Sequence, residues 1–166
     1  MKKITCRFWI LALCVFTLGS CSKESLDEGE TSDLVSVVAP VSYNEIELNI
    51  MDLVNDYRFS KGLNELDYKD EVSWQAEDHN FYMIQKNKVS HDGFANRYSS
   101  LAESVDAKAV SENVAFGYNT AEAVVKAWIE SEGHRKNMEG DLTHFGISVK
   151  EDANGKKYFT NIFVRI

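Results

Sequence analysis

The sequence predicts an α+β domain built in two or three layers, and three observations carry that expectation. Apolar residues recur at helical spacing behind capping pairs through the middle of the chain. The period then switches to alternation near the C-terminus, and Asn154-Gly155 places a strong turn signal between the alternating runs. A hairpin and several amphipathic helices each leave an apolar face to cover, so they must stack on one another.

The elements follow in order. Ser42 with Glu45 reads as a capping box, and Ile46, Ile50, Leu53, Val54 and Tyr57 recur at helical spacing until Gly62. A second helix is expected from about Lys69 to Lys86, with Val72, Ala76, His79 and Met83 on one stripe that buries His79. Ser90, His91, Asp92 and Gly93 punctuate the chain, and Phe94, Arg97, Tyr98 and Leu101 then suggest a short helix. Val114-Ala115-Phe116 reads as a brief strand ending at Gly117. Asn119 with Glu122 offers another capping box for a helix that carries Ala123, Val124, Ala127 and Trp128 to Ser131, where Gly133 closes it. Phe145, Ile147 and Val149, then Tyr158, Thr160, Ile162 and Val164, form the predicted antiparallel hairpin.

The N-terminus has a different composition. Lys2, Lys3 and Arg7 precede an apolar run, Phe8 to Leu18, that is short for a permanent bilayer span. It reads as processing information, and Leu18-Gly19-Ser20-Cys21 resembles the lipobox of bacterial lipoproteins, which implies cleavage before Cys21 and lipid on that residue. A plain secretory peptide cut elsewhere, or an uncleaved anchor, is the alternative. Residues 1–20 are thus expected to be a signal peptide, 21–39 a lipidated cysteine and tether, and 40–166 one domain with no internal repeat. Cys6 and Cys14 would leave with the signal, so no intramolecular disulfide is available and the domain must rest on its apolar core.

The formal net charge is −8, and loss of the three basic residues of the leader makes it more negative. Such a surface repels nucleic acid and would meet a membrane only through its lipid. The polar, acidic stretch after Cys21 resembles the surface-export signals of Bacteroidetes-type lipoproteins. The expected location is therefore the outer membrane or cell surface, with a periplasm-facing position as the alternative.

The chain has four histidines, at 79, 91, 134 and 144. His91 lies in a polar turn and His134 beside Arg135, with Glu112 between them in the chain and just before an apolar segment. Two imidazoles and a carboxylate can hold zinc with a place left for water, although nothing here has short local ligand spacing. His79 reads as a hydrogen-bonded core residue, Asn55 and Arg58 as fasteners of loops, Asn113 as a turn-holding amide and Trp128 as packing. Arg135 can clamp an anion or form a structural ion pair. His144 reads as an exposed residue before the hairpin.

The order of motifs sharpens this. Asn55-Asp56-Tyr57-Arg58, Ala76-Glu77-Asp78-His79-Asn80, Ser90-His91-Asp92-Gly93-Phe94, Glu112-Asn113-Val114-Ala115, Trp128-Ile129-Glu130-Ser131-Glu132-Gly133-His134-Arg135 and Phe145-Gly146-Ile147-Ser148-Val149 resemble, in sequence order, the CAP superfamily in its bacterial branch. This family is also called SCP-like or PR-1-like. The resemblance runs from about Tyr43 to the end and implies a three-layer α-β-α sandwich with a large central cleft. Carried over by motif, His91 and His134 are the cleft histidines and Glu112 is its acidic residue. Ser111 stands where the family usually has glycine, which can alter the local turn. Eukaryotic members place a second glutamate where this chain has Ser131, so the fourth polar group of the cleft is a hydroxyl.

The family implies an extracytoplasmic binding or recognition module for a small ligand, lipid or peptide, with Arg135 beside the cleft and no required cofactor. Zinc or another divalent metal on His91, His134 and Glu112 is possible chemistry. A metal-dependent or serine-type hydrolase using His91, Glu112, His134 and Ser131 on peptide or ester substrates is the competing reading, but no nucleophile elbow prepares a serine. A third reading is a structural envelope role.

Overall fold

The computed structural model describes residues 39–166. The expected signal peptide, Cys21 and the tether up to residue 38 lie outside the described residues. In chain order the elements are α1 (Glu45–Ser60), β1 (Asp67–Tyr68), α2 (Asp70–Lys86), α3 (Phe94–Val105), β2 (Ala109–Phe116), α4 (Ala121–Glu130), α5 (Glu132–Met138), β3 (His144–Glu151) and β4 (Lys157–Arg165). The strands form one mixed sheet in the order β1-β3-β4-β2. β1 runs parallel to β3, and β4 is antiparallel to both of its neighbours.

The sheet is covered on both sides, giving the α-β-α sandwich expected from the resemblance. Phe145, Ile147, Phe159 and Phe163 project into a core shared with Ile50, Met51 and Val54 of α1 and Val124, Val125 and Trp128 of α4. On the other face Ile162 and Val164 meet Val72 and Ala76 of α2 and Leu101 of α3. β4 is buried on both faces, which is why its apolar residues run together rather than alternating strictly with polar ones. The hairpin register pairs Phe145 with Phe163 and Ile147 with Asn161, and Gly155 takes φ +74° in the turn.

Several boundaries differ from expectation, each for a physical reason. α1 is capped by Asn44 and Glu47 in a reciprocal box, not by Ser42 and Glu45. Both pairs have the same spacing, and the choice is made by tertiary structure, because the other oxygen of Glu47 accepts the Val149 N–H at 2.7 Å. α4 is capped by Thr120, whose hydroxyl accepts the Ala123 N–H, rather than by Asn119. Gly133 does not end a helix. The break falls at Ser131, which is extended at φ −87° and ψ 119°, and Gly133 lies within α5, where the chain turns back to bury Met138. β2 is eight residues long rather than three, because Ser111, Glu112 and Asn113 extend it with polar side chains that conceal the strand period. As a result Ser111 has ordinary extended geometry, and no positive φ is required where the family has glycine.

α2 lies directly on the backbone of β3. A Cβ at Gly146 would fall 2.3 Å from the Ser73 nitrogen and 2.6 Å from the Val72 carbonyl carbon. Backbone cannot yield as a flexible side chain can, so Gly146→Ala is expected to cost at least about 3 kcal/mol. Urea denaturation of the purified variant measures this, and a loss under about 1 kcal/mol would contradict the contact.

Candidate functional site

β2 is an outer strand of the sheet, and its pleat decides what it offers. Gly117 donates to the Lys157 carbonyl, so odd-numbered residues bond to β4 and the backbone groups of residues 110, 112 and 114 point off the edge. Asn137 Nδ2 and Trp128 Nε1 accordingly donate to the carbonyls of Glu112 and Val114. The Glu112 side chain projects into the α2/α3 layer. Asn113 projects oppositely, toward α5, where its Nδ2 donates to the His134 carbonyl at 3.0 Å. The edge of β2 is thus where the two helical layers approach each other.

Glu112 is 3% exposed, and its carboxylate is the centre of the cluster. Arg97 from α3 holds it with a two-pronged fork, Nε to Oε2 and Nη2 to Oε1, both at 2.8 Å. His91 Nδ1 lies 2.7 Å from Oε1. Burial raises the Glu112 pKa, but the hydrogen bonds from His91 and Arg97 and the Arg97 charge outweigh it, so the net shift is downward. The carboxylate is therefore ionised near neutral pH and can only accept, which puts the proton of the neutral His91 ring on Nδ1 and leaves Nε2 as its free acceptor. The His91 side chain is 52% exposed.

His79, on α2, is 2% exposed. Its Nε2 sits 2.7 Å from the Ser90 carbonyl and 3.9 Å from Glu112 Oε1. Burial lowers its pKa, against the pull of Glu112. Burial also lowers that of His134, and repulsion from the His91 ring whenever that ring is protonated adds to the effect. A hollow of about 320 Å3 opens beside Glu112, lined by His91, Phe94, Val110, Ser111, Glu112 and Asn137; His134 is not among the residues that line it, but lies near enough to feel the charge of His91.

Ser131 and Arg135, the other expected cleft residues, are also not among the residues that line this hollow. Ser131 is at the α4–α5 break, where its carbonyl accepts from the Arg135 N–H, and its hydroxyl bonds to neither cleft histidine. The Arg135 guanidinium donates to the Ile129 carbonyl at 2.9 Å, fastening α5 to the end of α4. Asn55 exchanges two hydrogen bonds with the backbone of Leu66, and Trp128 is buried in the core. His144 opens β3, with Nδ1 against the Thr143 hydroxyl.

Arg97 is the site residue that sequence reasoning missed. Its signal was present: spaced three from Phe94 and four from Leu101, it is a cation on the covered side of a short helix. A buried guanidinium needs an acceptor, and no acid lies within helical reach of it on that face.

A metal does not suit Glu112 as a direct ligand. Three N–H donors occupy its oxygens, and a guanidinium already supplies the countercharge. Among the described residues no group of three or more His, Cys, Asp or Glu side chains forms a metal cage. The donor set that does fit is imidazole, with Glu112 holding the far nitrogen of His91 as carboxylates commonly do behind metal-bound histidines.

Residues 51–164 match the CAP family, described as the cysteine-rich secretory protein family, and the chain belongs to it. Two relatives from Bacillus subtilis (strain 168) are the uncharacterized membrane protein YlbC and the uncharacterized protein YkwD. YlbC is 34% identical over 125 residues, covering 72% of this chain and 34% of that protein. YkwD is 32% identical over 120 residues, covering 70% and 47%. The chain therefore spans between a third and a half of the length of these relatives. Among solved structures, an outer surface protein from Borrelia burgdorferi shares the fold, with TM-score 0.67 and 18% identity over 76% of this chain and 97% of that one. An extracellular protein containing an SCP domain from Bacillus anthracis gives TM-score 0.64 and 25% identity over 78% and 45%.

Proposed function

We propose that the protein is an exported, lipid-anchored recognition module that takes a small ligand or peptide in the hollow at the β2 edge, through the His91 imidazole that lines it and the neighbouring imidazole of His134. The observation that carries this is the state of Glu112. Its charge is spent on Arg97 and His91, so it orients an exposed imidazole and is poorly placed to act as a base itself. A serine mechanism needs a hydroxyl about 3 Å from a base. Among the described residues no serine hydroxyl is hydrogen-bonded to a histidine, which favours binding over hydrolysis.

A divalent metal such as zinc is the second reading, favoured by the carboxylate-backed imidazole. His91 and His134 would hold it, and it would supply a Lewis acid at the mouth of the hollow. Titration of 15N-labelled protein starting at Ser22 tests both readings, with zinc in one series and a pool of short peptides in another. Amide shifts are expected at residues 91–94, 110–112 and 134–137 in at least one series. Responses confined to other surfaces, or undiminished in a His91→Ala/His134→Ala variant, would overturn the assignment.

Export is supported by the lipobox-like Cys21 and by the outer-surface and extracellular descriptions of the Borrelia and Bacillus anthracis proteins. Full-length protein should partition into detergent and Cys21→Ala into the aqueous phase. Mass spectrometry that finds no acyl mass on Cys21 would refute the anchor.

A further inference from the structure

We propose that His79 and Arg97 are positioning residues for His91, gripping the turn that presents its imidazole from both sides. This rests on the reading that the cleft binds through His91. His91 belongs to a polar, solvent-facing turn and has an exposed side chain, so its own packing does little to hold it. The carbonyls on either side of it are both fastened. His79 Nε2 meets the Ser90 carbonyl at 2.7 Å, and Arg97 Nη1 meets the Asp92 carbonyl at 2.8 Å.

A carbonyl can only accept, so the His79 proton sits on Nε2. His79 Nδ1 then carries a buried lone pair that no group answers among the described residues. The neighbours of His79 on the α2 stripe are Val72, Ala76 and Met83, all fully buried, so a leucine there would remove the orphaned Nδ1 and leave only the Ser90 carbonyl without its donor. What histidine adds is its grip on Ser90. At 3.9 Å its Nε2 is too far from Glu112 for a hydrogen bond, so the donor serves the turn and not the carboxylate. Arg97 works on both partners, because one guanidinium fixes the Asp92 carbonyl and both Glu112 oxygens. It therefore sets each end of the His91–Glu112 bond.

The test is made on His79, which leaves the buried ion pair intact. In ligand-free protein the 15N imidazole spectrum of His91 should show a protonated Nδ1 and an unprotonated Nε2. His79→Leu should shift His91 toward the Nε2–H form that free imidazole prefers and raise amide exchange at Asp92 and Gly93 by about tenfold or more. His79→Gln, whose amide can still donate to the Ser90 carbonyl, should restore both. A folded His79→Leu protein with the wild-type His91 pattern would overturn the proposal. So would a folded His79→Gln protein whose His91 pattern departs from the wild type, and this measurement, which needs only the glutamine variant and the parent, decides the matter if the leucine variant does not fold. Neither readout uses a ligand. A shifted tautomer with zinc and peptide responses unchanged would uphold the clamp while removing His91 from the binding reading.

Discussion

Arg97→Met is expected to destabilise the fold by about 3–5 kcal/mol, because it strands the Glu112 carboxylate in a site that is almost fully closed to water. Glu112→Met should cost a similar amount by stranding the guanidinium. The double variant Arg97→Met/Glu112→Met should recover most of the loss, since taking two charges out of water offsets much of what their attraction provides. Equilibrium urea unfolding of the three variants and the parent measures the cycle. Additive losses in the double variant would show that the two groups do not act as a pair.

The pH dependence has a defined sign. Glu112 has a folded-state pKa below its ordinary value, so its contribution is fully present above the ordinary carboxylate range. It is lost as pH falls through the folded value. Glu112→Gln should therefore flatten the acid limb of the stability profile while lowering the plateau near neutral pH. An acid limb as steep as that of the parent would assign the loss to other carboxylates.

The parts of this fold that were legible in the sequence are those whose periodicity is carried by apolar side chains. α1, α2 and the β3–β4 hairpin announce themselves through Ile50 and Val54, Val72 and Ala76, and Phe145 to Val149. α5 does not, because six of its seven residues are glycine or polar and only Met138 is buried. Its position depends on Asn113 and Asn137, which bond across the β2 edge. The cap of α1 is not legible locally, because the deciding partner of Glu47 is Val149, 102 residues away. Motif order pointed to His91, Glu112 and His134 as a set, and the structure places His91 directly on Glu112. Composition and spacing could not show that an arginine on the next helix occupies the carboxylate. A salt bridge between α3 and β2 leaves no local pattern in either segment.

The second large effect is expected at Arg58, which is 0% exposed and whose hydrogen bonds all go to neutral oxygens. Its guanidinium donates four of them, Nε to the Asn64 carbonyl, Nη1 to the carbonyls of Met138 and Gly140, and Nη2 to Asn64 Oδ1. These acceptors come from the loop after α1 and from the end of α5, so one side chain ties together three segments that also meet in the core through Val54, Leu66 and Met138. Burial pulls its pKa down and the charge of Asp141 opposes the shift, yet a guanidinium stays protonated throughout the working range. Arg58→Met would leave four acceptors without donors and is expected to cost about 3–5 kcal/mol. Arg58→Lys keeps the charge but replaces a planar fork with a single ammonium that cannot reach both sides, so about 2–3 kcal/mol should be lost. Because α5 also carries His134 and Asn137, either variant should raise amide exchange through residues 132–138 beyond what global destabilisation explains. Uniform exchange changes across the domain, or a lysine variant within about 1 kcal/mol of the parent, would mean that the guanidinium fills space without tying α5 to α1.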